Sequence, residues 1–126
     1  MPERVRRPVT RLLVVEDEPL EREVVVEELR DAGYDVLEAE TAEEGLSILE
    51  HTPDVAVLFT DIRLPGSLTG WDLAEAARRL RPGLPVIYAT GYSEERPRQV
   101  PGSLFMHKPY RPSAVIRAVE DLRSRA

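Results

Sequence analysis

The chain has 126 residues, enough for one domain with its own apolar core and too few for two. Its 17 Lys and Arg against 23 Asp and Glu give a net charge of -6, which argues against a nucleic-acid-binding surface on this domain. The absence of cysteine excludes disulfides, thiol nucleophiles and thiolate metal sites. No apolar run is long enough to span a membrane, and residues 1–11 lack a signal-peptide core, so we expect a soluble cytoplasmic protein.

The sequence of residues 1–33 predicts an arm followed by a strand and a helix. Residues 1–10 are rich in arginine and proline and are expected to form a flexible arm ahead of a domain spanning 11–126. Residues 12–15 are continuously apolar, which is typical of a strand covered by helices on both faces. Pro19 then marks the start of a helix and Gly33 its end. The residues at helical spacing, expected to face the core, are Leu20, Val24, Val25, Leu29 and Ala32.

The same alternation continues to the C-terminus. Further strands are predicted at residues 34–39, 55–59, 86–89 and 103–106. A capping box formed by Thr41 and Glu44 is expected to open the second helix, and Pro112 marks the start of the last one. The third helix is expected to face inward with Leu73, Ala74, Ala77 and Leu80.

Five strands alternating with helices predict an α/β fold, a doubly wound five-stranded parallel sheet with helices on both faces. We predict the strand order 2-1-3-4-5. The segment 94–102, between the fourth and fifth strands, contains Pro97 and Pro101. Because an interior proline removes a helical hydrogen bond and clashes with the preceding turn, a fourth helix there is expected to be short or irregular.

Side chains that could bind a phosphoryl group or a metal ion follow four of the predicted strands. Glu16 and Asp17 follow the first strand, Asp61 the third, Thr90 the fourth and Lys108 the fifth. The carboxyl ends of parallel strands meet at one edge of a sheet, where ligands bind. Clustered carboxylates favour Mg²⁺, while a lysine and a threonine hydroxyl can contact phosphoryl oxygens. One acidic residue alone would more often cap a loop or helix, but the coincidence of all these residues predicts a phosphoryl site.

Four segments resemble the signature motifs of response regulator receiver domains. They are VVEDE at 14–18, FTDIRLPG at 59–66, ATG at 89–91 and HKPY at 107–110. The resemblance extends over residues 11–125 and implies a flavodoxin-like receiver fold that switches its surface in a two-component relay. It implies that Asp61 accepts a phosphoryl group from the phosphohistidine of a sensor histidine kinase or phosphotransfer protein. The altered surface would then be recognised by an output partner protein.

The resemblance also implies roles for the surrounding residues. Mg²⁺ would be bound by Asp17, Asp61 and the backbone carbonyl of Arg63, with Glu16 acting through water. Lys108 and Thr90 would contact the phosphoryl group. The aromatic switch residue would be Phe105, although a plain core role for this side chain is an equal alternative. Residues 88–92 resemble a receiver subset that carries a Phe-Ala-Thr-Gly motif.

Three other functions stay open or are disfavoured at this point. A docking module that does not use phosphorylation is compatible with the same residues. A Mg²⁺-dependent aspartyl phosphatase of the haloacid dehalogenase kind is disfavoured, because that family has a second Asp two residues after the nucleophile and this chain has Arg63. A flavin site is disfavoured because the loop after Val15 is acidic, where a phosphate-binding loop would offer glycines and hydroxyls.

Overall fold

The structure, a computed structural model, describes residues 9–91 and 98–125. Its strands form one sheet in the order β2-β1-β3-β4-β5, and every neighbouring pair is parallel. The predicted doubly wound sheet and its strand order are therefore confirmed. The strands are β1 (Arg11–Val15), β2 (Asp35–Ala39), β3 (Val55–Asp61), β4 (Val86–Thr90) and β5 (Leu104–His107).

Helices cover both faces of the sheet. They are α1 (Pro19–Asp31), α2 (Ala42–His51), α3 (Gly70–Leu80) and α4 (Pro112–Arg125). Of the irregular helix predicted at 94–102, residues 94–97 lie outside the described residues, and residues 98–102 form coil and a turn. The arm predicted at 1–10 also lies outside them, apart from residues 9 and 10. Within the described ranges, every helix is too short or too polar to cross a bilayer.

The core has two halves, one on each face of the sheet. Leu13, Val15 and Leu58 point toward α2 and α3, where they meet Leu49 and Leu73. Alternate residues of the same strands point the other way, because successive side chains of a strand face opposite sides. On that face α1 and α4 contribute much of the second cluster, which includes Leu12, Val14, Val57, Phe59, Val25, Leu29, Val115 and Val119.

Several side chains predicted to face the core are exposed instead. Leu20 is 76% exposed, Val24 51% and Leu80 47%, and Ala32 is exposed as well. A surface helix buries only a limited stripe of its circumference. In α1 that stripe is occupied by Val25, Val26 and Leu29, which leaves Leu20 and Val24 on the flank.

The capping box predicted at the start of α2 is incomplete, and a complete one lies at the start of α3. Thr41 accepts a hydrogen bond from the Glu44 amide, at 3.0 Å, but the Glu44 carboxylate accepts from the Glu40 amide, at 3.3 Å, and so the predicted box is only half formed. A complete capping box opens α3. There Thr69 Oγ1 accepts from the Asp72 amide at 3.2 Å, and Asp72 Oδ2 accepts from the Thr69 amide at 2.9 Å.

Candidate functional site

The carboxyl ends of β1, β3 and β5 bring together three of the residues predicted from the sequence. Lys108 Nζ lies 3.0 Å from Glu16 Oε1 and 3.0 Å from Asp61 Oδ2. Glu16 and Asp61 are close because β1 and β3 are neighbours in the sheet. Lys108 follows β5 and reaches across the end of β4 to meet them. The strand order therefore produces a compact cluster of two carboxylates and one ammonium group.

A fourth residue, Glu21, belongs to this cluster and was not predicted from the sequence. Its Oε2 lies 2.7 Å from Lys108 Nζ. Glu21 sits in the first turn of α1, and this helix starts three residues after Glu16. Carboxylate oxygens of Glu16, Glu21 and Asp61 lie within 4.8 Å of one another. Asp17 is half-buried and is not a member of this group, and its role as a metal ligand stays a prediction.

Asp61 is held in place largely by backbone groups. It is the last residue of β3 and is 8% exposed. Its Oδ1 accepts a hydrogen bond from the Ile62 amide at 2.6 Å, while Oδ2 faces Lys108. The Gly70 amide donates to the Ile62 carbonyl at 2.8 Å, and a Cβ on Gly70 would lie 2.0 Å from the Asp61 carbonyl oxygen. The start of α3 can therefore pack directly on the end of β3 only because residue 70 has no side chain.

The electrostatics of the cluster show that it is short of positive charge. Glu16 is buried, and its Oε2 has no hydrogen-bond partner among the described residues. Burial, reinforced by the neighbouring Asp61, raises the pKa of Glu16 to about 9. Glu16 and Lys108 together hold the pKa of Glu21 below its usual range. Burial opposes the charge on Lys108, but its contacts with Glu21, Asp61 and Glu16 prevail and raise its pKa.

This arrangement fits a hard divalent cation. Mg²⁺ prefers carboxylate oxygens, and a buried carboxylate oxygen without a donor is a position that such a cation can satisfy. Three carboxylates against one ammonium group leave a negative excess when all are ionised, which a divalent cation would offset. The residues present are therefore compatible with the predicted magnesium site.

The remaining predicted residues occupy different settings around the cluster. Thr90 ends β4 and is 1% exposed, and its carbonyl accepts a hydrogen bond from the Lys108 amide at 2.8 Å. Phe105 is half-buried in β5 and stacks on Trp71, with ring centroids 6.2 Å apart. Arg63 is exposed, two residues after Asp61. The structure thus gives Phe105 a core contact, while its switching role and the roles of Thr90 and Arg63 stay predictions.

An apolar groove of about 620 Å³ opens beside the cluster. It lies between α1 and the turn that joins β5 to α4, and its lining includes Leu20, Val24, Lys108, Tyr110 and Pro112. Leu20 and Val24 are the exposed apolar side chains of α1 noted above. The site is therefore bordered on one side by a surface that is apolar and open to solvent.

Comparison with known proteins identifies the family. The sequence model of the family described as the response regulator receiver domain matches residues 12–120 of this chain. Among curated proteins, the transcriptional regulatory protein PdtaR of Mycobacterium tuberculosis (strain ATCC 25618 / H37Rv) is 32% identical over 118 residues, covering 87% of this chain and 55% of that protein. An uncharacterized 14.6 kDa protein of Leptolyngbya boryana is 34% identical over 115 residues, covering 86% of each chain.

Solved structures agree with this assignment. A response regulator receiver protein from Sinorhizobium medicae WSM419 superposes with a TM-score of 0.88 at 26% identity, over 92% of this chain and 95% of that one. The receiver domain of the hybrid histidine kinase CckA gives a TM-score of 0.77 at 34% identity, over 89% and 97%. The chain spans about half the length of the curated regulators PdtaR and CreB, at 55% and 50%. Membership of the Phe-Ala-Thr-Gly subset stays a prediction. The chain belongs to the family of response regulator receiver domains.

Proposed function

We propose that this domain is the phosphoacceptor switch of a two-component relay. Asp61 receives a phosphoryl group from the phosphohistidine of a histidine kinase or phosphotransfer protein, and the modified domain presents a changed surface to an output partner. The observation that carries the proposal is the setting of Asp61. Its carboxylate is fixed at a strand end, 3.0 Å from Lys108 Nζ and beside the buried Oε2 of Glu16, which has no hydrogen-bond partner in the described part of the chain.

Phosphoryl transfer requires little beyond position and charge neutralisation. This cluster supplies the position and, through Lys108, part of the neutralising charge. Asp61 Oδ1 is engaged by the Ile62 amide, so the carboxylate is oriented before a donor arrives. An oxygen of Asp61 forms the new P–O bond as the P–N bond of the donor breaks, and the electron pair of that bond returns to the imidazole nitrogen. Lys108 donates to a phosphoryl oxygen and stabilises its negative charge.

Mg²⁺ belongs to this proposal as the resident cofactor. Asp17, Asp61 and the Arg63 carbonyl would hold the ion, with Glu16 acting through water. The bound ion would supply charge neutralisation for the acceptor carboxylate and the phosphoryl oxygens. The support for it in this chain is the chemistry of the donor set and the buried Oε2 of Glu16, for which residues 9–91 and 98–125 provide no hydrogen-bond donor. The direction of the pKa shift agrees, because burial disfavours the ionised form of Glu16 and a bound cation would favour it.

The apolar groove supports a protein as the phosphodonor. Exposed apolar residues grouped beside a reactive site are typical of protein contacts. Leu20, Val24 and Tyr110 line such a groove, and Lys108 lies at its border with the acceptor cluster. A donor protein seated there would bring its phosphohistidine to Asp61. The changes that follow would involve Thr90, at the end of β4, and Phe105, in β5.

Phosphorylation of the purified domain with acetyl phosphate and Mg²⁺ tests the proposal. We expect one added phosphoryl group by intact mass, removed by hydroxylamine as an acyl phosphate should be. Asp61→Asn should abolish the addition. Asp31→Asn, which removes an exposed carboxylate at the end of α1, should retain it. A wild-type domain that takes no phosphate, or a modification that persists in Asp61→Asn, would contradict the assignment.

A further inference from the structure

The hydrogen-bonding capacity of Lys108 is fully used before any phosphoryl group is present. Its ammonium group has three N–H donors. Three carboxylates accept from it: Glu21 at 2.7 Å, Glu16 at 3.0 Å and Asp61 at 3.0 Å. A phosphoryl oxygen on Asp61 can therefore accept a hydrogen bond from Lys108 only if one of these three hydrogen bonds to a carboxylate is broken.

The three carboxylates differ in how easily they can be released. The side chains of Glu16 and Asp61 are 6% and 12% exposed, whereas that of Glu21 is 51% exposed. A buried carboxylate that loses its partner suffers a large desolvation cost, but an exposed one is hydrated at once. Asp61 is also the acceptor itself and stays next to Lys108. Glu21 is therefore the partner that Lys108 can exchange at the lowest cost.

We propose that Glu21 is a positioning residue that occupies the phosphoryl-binding donor of Lys108 in the unphosphorylated domain and thereby restrains phosphorylation of Asp61. The inference deepens the proposed function and rests on it. Two effects of the carboxylate act in the same direction. It competes for an N–H of Lys108, and its negative charge, within 4.8 Å of a carboxylate oxygen of Asp61, repels an approaching phosphoryl group.

Removing the charge of Glu21 without changing its shape tests the inference. In Glu21→Gln we expect the rate of phosphorylation by acetyl phosphate, at saturating Mg²⁺, to rise by about three- to tenfold, the scale of a partly exposed charge pair. The affinity for beryllofluoride, a phosphoryl mimic that forms no lasting covalent bond, should rise by a similar factor. Fluorescence of Trp71, the sole tryptophan of the chain, is the readout, because Trp71 follows Gly70, which packs on the carbonyl oxygen of Asp61.

Three controls separate this role from general electrostatics and from a metal-binding role. Glu27→Gln removes the same charge from an exposed position of α1 and should leave both quantities unchanged. The affinity for Mg²⁺, measured by titration without any phosphodonor, should fall by no more than about threefold in Glu21→Gln, because a partly exposed negative charge near the site is lost while the proposed metal ligands are retained. In a Lys108→Gln background, Glu21→Gln should give only a small residual gain from reduced repulsion.

The results that would overturn this inference differ from those that would overturn the proposed function. An unchanged or slower phosphorylation rate in Glu21→Gln, with a wild-type domain that accepts phosphate on Asp61, overturns the proposed role of Glu21 but not that of Asp61. A loss of Mg²⁺ affinity together with a slower rate also overturns it and assigns Glu21 to the metal. An equal gain in Glu27→Gln, or a full gain without Lys108, overturns it in favour of net charge. A wild-type domain that takes no phosphate on Asp61 overturns both proposals.

Discussion

The two strands that supply Asp61 and Lys108 differ in how firmly the fold holds them. β3 lies between β1 and β4, and six of its seven residues are buried. β5 is the edge strand of the described sheet, where it pairs with β4, and its side chains are half-buried or exposed. A strand paired on both sides and covered on both faces opens less readily than an edge strand. Asp61, the proposed acceptor, thus lies on the rigid part of the sheet, and Lys108 on the part that can adjust.

The described residues that lead into β5 make polar contacts with β4 and α3. The Val100 amide donates to the hydroxyl of Tyr88 at 3.1 Å. Arg98 pairs with Asp72 at 2.9 Å and with Glu75 at 2.5 Å, both on α3. These contacts link the edge of the sheet to the helix that begins beside Asp61. They offer a way to loosen the adjustable side without a change at Asp61.

The largest effect is expected from Gly70→Ala, which disturbs the rigid side. The new Cβ would lie 2.0 Å from the Asp61 carbonyl oxygen and 2.8 Å from Ile62 Cα, so backbone must move. We expect a loss of about 3 kcal/mol in the free energy of unfolding, measured by urea denaturation, together with slower phosphorylation of Asp61. Gly83→Ala is the control, because a Cβ there would meet nothing within 4 Å. Equal stability of the two variants would show that the α3 start can shift freely.

An intermediate effect is expected from Tyr88→Phe, which loosens the connection to β5. Tyr88 is fully buried, and losing its hydroxyl leaves the amide of buried Val100 without its acceptor. We expect a destabilisation of about 1–2 kcal/mol and faster hydrogen exchange at the Val100 amide. Tyr34→Phe, a half-buried tyrosine near Arg123, should change little. Unaltered exchange at Val100 would mean that this hydrogen bond does not hold the connection.

The smallest effect is expected from Arg98→Ala and depends on pH. At pH 7 the loss should stay below about 1 kcal/mol, because the ion pairs are solvent-exposed. The Thr69 amide, and then Arg98, hold the pKa of Asp72 below its usual 3.8. The stabilisation from ionised Asp72 is therefore complete above that value and is lost as the pH falls through the lowered pKa. Thermal unfolding from pH 7 to pH 2 should show the two proteins converging in acid, and a difference that grows in acid would refute this reading.

The sequence alone predicted the sheet, its strand order and three of the four residues in the cluster around Lys108. The reason is local. Continuous apolar runs such as residues 12–15 are typical of buried parallel strands, and the polar residues that follow them must gather at the carboxyl edge. Glu16, Asp61 and Lys108 needed no further information, since the order of the strands brings them together.

Only the tertiary structure decided which neighbours surround those residues. Glu21 joins Lys108 because α1 begins at the site edge, and Gly70 matters because α3 starts on the Asp61 carbonyl. The exposure of Leu20 likewise depends on which stripe of α1 meets the sheet. Periodicity assigns a helix its apolar residues, but the packing angle against neighbouring elements selects the face that is buried and the polar side chains that reach the site.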